Sequence, residues 1–139
     1  MGLLTNVPLM IVPFIVYNLV AWGFLGATGA DPWAATVMTL SMVSGVAWSM
    51  NLGDLMVVLG LFLLFFEILK ATRVGAGSVI DHLLSTFVFI AFLIEFLLVS
   101  SAAHSVFFIL MAITFIDVVA GFSVALRSAT RDVSIGGHY

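Results

Sequence analysis

Four apolar runs, parted by short polar breaks, organise the chain. The first covers residues 7–25 and holds Pro8, Pro13, Tyr17 and Asn18, with Trp22 near its end. Pro8 suits a first helical turn. Pro13 should kink the helix or move its start later, because proline lacks the N–H an interior turn needs. Two glycines and the Asp31-Pro32 step give residues 26–32 loop chemistry. Three further runs predict helices over residues 53–70, 79–99 and 105–126. Ser78 and Asp81 have the spacing of a capping box at the start of the third run. A tight turn, Ser100 to His104, leads into the fourth, and Arg127 to Tyr139 form a short polar tail. At about 20 residues per crossing, the pattern predicts four transmembrane helices in one domain.

Residues 37–51 break the pattern. They are uncharged but rich in Thr, Ser and Gly, and they alternate with period two. That period belongs to a strand. With Val43-Ser44-Gly45 as a three-residue loop and Gly45 left-handed, Met42 faces Val46, Leu40 faces Trp48 and Met38 faces Met50. The other face pairs Ser41 with Ala47 and Thr39 with Ser49. A two-residue Ser-Gly loop would instead set Ser41 against Trp48, so the longer loop is preferred. The competing reading is a short transmembrane or surface helix.

Composition agrees with a membrane protein. Of 139 residues, 63% are hydrophobic and 8% charged. A soluble domain carries about a quarter charged residues. With 4 basic against 7 acidic residues there is no basic face, and no nucleic-acid partner is expected. Without cysteine there are no disulfides and no thiolate metal sites. All four bases (Lys70, Arg73, Arg127, Arg131) lie after the second helix or in the tail. By the positive-inside rule these segments are cytoplasmic. Four crossings then place both termini inside and the hairpin outside.

An acid within a membrane helix costs a few kcal/mol, about 2.5–3.5 at its centre on insertion scales. Glu95 and Asp117 are the two cases. Asp81, Ser85, Val88, Phe92, Glu95 and Val99 recur at 4-3-4-3 spacing and share a face that should look into the bundle. Thr114, Asp117 and Gly121 share a face whose small residues allow another helix to approach. Antiparallel third and fourth helices put Asp117 about 12 Å deeper than Glu95, too far for a carboxylate dyad. The same count sets Asp117 beside Thr86, so a Thr86–Asp117 hydrogen bond is expected. Glu95, Asp117, Thr86 and Gly121 thus form a candidate interhelical, partner or ion site. Glu67, Lys70, Arg73, His82 and Arg127 form a candidate cluster at the inner interface. There, Glu67 pairs with Lys70 three residues on, and a Glu67–His82 contact would respond to pH. Asp81 reads as a helix-cap residue. No ligand spacing, serine triad or phosphate loop is present, so no cofactor, metal or catalytic site is expected.

The segments Trp48-Ser49-Met50-Asn51-Leu52-Gly53-Asp54-Leu55, Phe66 to Arg73, Ile80-Asp81-His82 and Glu95 to Val99 resemble a group of small four-helix inner-membrane proteins of alphaproteobacteria. The likeness covers roughly Ala34 to Arg131. It implies a bacterial cytoplasmic membrane and an accessory, non-catalytic character, and it transfers no site residue. The expected fold is therefore an all-α, four-helix transmembrane bundle with a small extracytoplasmic β-hairpin. The expected role is a structural subunit that meets lipids and other membrane subunits, in a bioenergetic complex for instance. The alternative is a homo-oligomeric ion or proton channel, or a small transporter, using Glu95 and Asp117.

Overall fold

Asn51 decides where the first long helix begins. Its side chain accepts from Asp54 N at 2.7 Å, and Asp54 Oδ2 accepts from Asn51 N at 3.2 Å. This reciprocal box satisfies two first-turn N–H groups and stops the preceding strand. The computed structural model describes residues 7–24, 31–72 and 76–136. In it α1 spans Ile11–Ala21, β1 Thr36–Ser41, β2 Ala47–Asn51, α2 Leu52–Lys70, α3 Ala76–Leu98 and α4 Ser105–Gly136. Short 3-10 turns occupy Pro32–Ala34 and Ser100–Ala102. Three stretches are long and apolar enough to cross a membrane: Leu52–Lys70, Val79–Leu98 and Ser105–Val124.

The first helix is shorter than its apolar run predicts. It has 11 residues, about 16 Å of rise, against a hydrocarbon core of about 30 Å. Both proline and glycine chemistry set this length. Ile11 N and Val12 N bond back to Pro8 O and Leu9 O in three-residue turns, and Pro13 falls in the first helical turn, where its missing N–H costs nothing. Pro13 thus moves the start later and does not kink the interior. At the other end Gly23 takes φ 88°. Gly23 N bonds Val20 O and Phe24 N bonds Leu19 O, the paired closure of a Schellman motif. The helix therefore ends before the expected boundary at residue 25, and the glycines at 26 and 29 lie outside the described residues.

The hairpin has the expected register. Met38 pairs with Met50, Thr39 with Ser49, Leu40 with Trp48 and Ser41 with Ala47. Gly45 has φ 90°. Gly45 N bonds Met42 O and Met42 N bonds Val46 O, each at 2.9 Å. A bulge between Thr36 and Met38 re-aims the strand before Ala35 O receives Leu52 N. One face carries Met38, Leu40, Met42, Val46 and Trp48, all exposed. On the other face the Thr39 and Ser49 hydroxyls bond at 2.8 Å.

The last two helices overrun their expected limits. α3 starts at Ala76, so Asp81 is an interior residue and not a cap. α4 continues through the polar stretch after Leu126 to Gly136, because nothing there before the glycines breaks a helix.

Two glycines bring α2 onto α4. A Cβ at Gly53 would stand 2.7 Å from Val106 Cγ2, and one at Gly60 3.0 Å from Leu110 Cδ2. Such spacing lets helix backbones approach closely. The rest of the core is aromatic. Phe92 meets Phe14 at 4.9 Å and Phe107 at 5.0 Å between centroids; Tyr17 meets Phe107 at 4.8 Å and stacks on Trp33 at 4.6 Å. α1 is tied at both ends of the bundle. Lys70 donates to Val7 O and Leu9 N donates to Glu67 at one end, while Tyr17 OH donates to Ser101 O at the other.

Candidate functional site

Among the described residues, two polar groupings within the helices lie on either side of the aromatic core. At the end where α2 finishes and α3 begins, Lys70 Nζ lies 3.0 Å from Glu67 Oε1, 3.4 Å from Asp81 Oδ1 and 2.9 Å from Val7 O. Glu67 also accepts from Leu9 N at 2.8 Å. The Glu67–Lys70 pair expected three residues apart is present, but Glu67 is buried, as are Asp81 and Asp117. Asp117 lies within electrostatic reach of Glu67, Asp81 and Lys70. Two buried carboxyl groups thus pair with one ammonium, and a third, Asp117, feels their field. The desolvation of such a group is tolerable only when charge is compensated nearby.

This grouping differs from the expected one. Asp117 belongs with the Glu67–Lys70 end and not with Glu95. Asp81 is a member, although its sequence position read as a cap. The signal for it was the 4-3-4-3 face on which it recurs with Glu95. Thr86 does not bond Asp117: its hydroxyl donates to His82 O at 2.9 Å, the back-bond a helical threonine makes when its own carbonyls are nearer than any partner. The depth behind that expectation stands, since Gly121 faces His82. A Cβ at Gly121 would meet His82 Cε1 at 3.5 Å and Ala71 Cβ at 3.6 Å, so Asp117 lies one turn further along, level with Ser85 and Thr86.

The Glu67–His82 contact is absent too. Glu67 is taken by Lys70 and Leu9, and the His82 ring meets Phe122 edge-on at 6.3 Å. His82 Nε2 is buried with no hydrogen-bond partner. Arg127 is exposed, six residues and about 9 Å of helix beyond Gly121, so it stands apart from the buried cluster. Arg73 lies outside the described residues.

At the opposite end Glu95 is half-buried on α3. Asn18 on α1 donates from Nδ2 to Glu95 Oε2 at 3.2 Å and to Phe14 O at 2.9 Å. Both line an open groove of about 860 Å³ whose other walls include Phe14, Leu19, Trp22 and Leu98. On the shared face of α3, Asp81, Ser85, Val88 and Phe92 are buried as the spacing predicts, Glu95 is half-buried and Val99 is exposed.

A third polar contact, not foreseen in the sequence, closes that end of the bundle. His104 Nδ1 accepts from Val106 N at 3.1 Å, so Nε2 carries the hydrogen and donates to Asp31 at 3.0 Å. The Asp31–Trp33 turn is thereby pinned to the start of α4.

Chemically, neither group has the form of an acid–base pair on a substrate, and among the described residues no set of three or more His, Asp or Glu side chains converges as metal ligands. The Lys70 cluster can hold charge. The groove at the Glu95 end can hold an amphiphile. No family model, curated protein or solved structure matches the chain.

Proposed function

We propose that the protein is a structural, accessory subunit of a bacterial cytoplasmic membrane, packing against lipids and a larger membrane complex without catalysis of its own. One observation carries this reading: the outward faces of α2, α3 and α4 are apolar, while the acids Glu67, Asp81 and Asp117 on these helices are buried. Only 22% of the residues in the apolar windows of α2 and α3, and 44% in α4, are buried within the chain. Phe62, Phe65, Phe66, Phe87, Leu97 and Phe115 are all exposed, whereas Glu67, Asp81 and Asp117 are buried. Water is a poor solvent for that surface, and a bilayer or a neighbouring subunit is a good one.

In this arrangement α2, α3 and α4 cross the membrane, and α1 with its lead-in turns accompanies them. The basic residues put the Lys70 end and the C-terminal part of α4 in the cytoplasm. The hairpin, with Trp48 on its open apolar face, then lies at the outer interface, where tryptophan is enriched.

The second reading is a homo-oligomeric channel or small transporter. It is favoured by Asp117, a carboxyl buried near Glu67 and Asp81. Against a path through one chain stands the aromatic core: Val88 and Phe92 separate Asp81 and Ser85 from Glu95, and Phe92 is sealed against Phe14 and Phe107. A path would have to run between copies. Purification in mild detergent separates the two readings. The accessory role predicts stoichiometric foreign subunits. A homogeneous ring that conducts ions in liposomes, and stops on Asp117→Asn or Glu95→Gln, would replace it.

A further inference from the structure

The groove between α1 and α3 offers apolar walls and an unbalanced set of polar atoms. Both hydrogens of the Asn18 amide are spent, one on Phe14 O and one on Glu95 Oε2. Asn18 Oδ1 and Glu95 Oε1 remain as acceptors with no donor among the described residues. The groove wall also carries Trp22, which is 70% exposed and whose indole N–H has no acceptor there. Among the described residues no basic side chain pairs with Glu95. Lys70 is engaged by Glu67 and Asp81 at the other end of the bundle, and Arg127 lies beyond it. Glu95 is three residues from the end of α3 at Leu98, about 4.5 Å along the axis. That depth is where lipid headgroups meet the first methylenes.

We infer that this groove binds a membrane lipid with a primary-amine headgroup, its ammonium on Glu95 and Asn18 Oδ1 and an acyl chain along Phe14, Leu19 and Leu98. The inference rests on the membrane reading above and names a ligand class for it. An ammonium supplies both the donors and the positive charge that Glu95 lacks. A choline headgroup brings charge but no N–H, and a glycerol headgroup brings O–H but no positive charge.

Trp22 also reports on the site. In a Trp48→Phe chain two tryptophans remain, and Trp33 is 3% exposed, so quenching by brominated acyl chains reads Trp22. The full-length protein is placed in vesicles containing brominated phosphatidylethanolamine, phosphatidylcholine or phosphatidylglycerol at equal mole fraction. The amine lipid should quench with an apparent affinity on the order of tenfold higher, the worth of one charge-assisted hydrogen bond. Glu95→Gln should bring the three lipids together. Equal quenching by all three in the chain that keeps Glu95 overturns the inference, whether or not the Glu95→Gln variant folds. Relief of quenching by a hydroquinone at equal mole fraction would assign the groove to that donor and overturn it as well. Resistance of the same samples to carbonate extraction keeps the two claims apart. Protein that washes off the vesicles sinks the membrane reading, whereas inserted protein without headgroup preference sinks the amine lipid alone.

Discussion

At Lys70 a single ammonium holds three segments together: the turn before α1 through Val7 O, α2 through Glu67 and α3 through Asp81. Removing it leaves buried carboxylates without a counter-charge, which is costlier than never having had the pair. Lys70→Met should therefore destabilise the protein by about 3–5 kcal/mol, read as a lower unfolding midpoint in detergent. Adding Asp81→Asn to Lys70→Met should recover part of that loss, because the stranded charge goes with it. Strictly additive losses would show that the two residues do not interact. The sequence made the Glu67–Lys70 pair legible through its spacing. It hid Asp81, since a serine three residues before an acid imitates a cap, and only the true start of α3 at Ala76 removes that reading.

Among the elements, the hairpin was the most legible and α1 the least. Period-two alternation and a face-sorting argument fix a register, because a one-residue slip exchanges every side chain between faces. Gly45 supplies the positive φ the loop needs. Gly45→Val should strain that turn by about 1–2 kcal/mol and speed amide exchange at Met42, whose N–H bonds Val46 O, while exchange in α2–α4 stays unchanged. Unaltered protection at Met42 would contradict the turn. α1 misled because hydrophobicity alone does not report where a helix is capped: Pro13 and Gly23 cut an apolar run of membrane length to 11 residues.

Helix approach gives a sharper contrast. At Gly53 an added Cβ meets the stiff Val106 side chain at 2.7 Å, but at Gly121 the nearest atom is 3.5 Å away. Gly53→Ala should cost about 1–3 kcal/mol through overpacking. Gly121→Ala should be neutral or slightly stabilising, since alanine is the better helix former. Thermal unfolding of both variants in one detergent checks the order. The sequence pointed to Gly121 as the close-contact glycine, because it shares a face with an acid. The closer contact is at Gly53, whose partner Val106 is distant in the chain and carries no motif.

For the whole molecule, the solvent that meets the exposed phenylalanines and leucines of α2, α3 and α4 decides the topology. If that solvent is lipid, three crossings put the hairpin and the end of α4 on opposite sides. The chain has no cysteine, so one introduced thiol reports alone. Ser44→Cys at the hairpin tip and Ser128→Cys late in α4, each treated with a membrane-impermeant maleimide on intact cells, give the most direct test. Ser44→Cys should label on intact cells, and Ser128→Cys only after the membrane is opened. Labelling of both thiols from the same side, or of neither after lysis releases a soluble protein, would contradict the crossing of three helices.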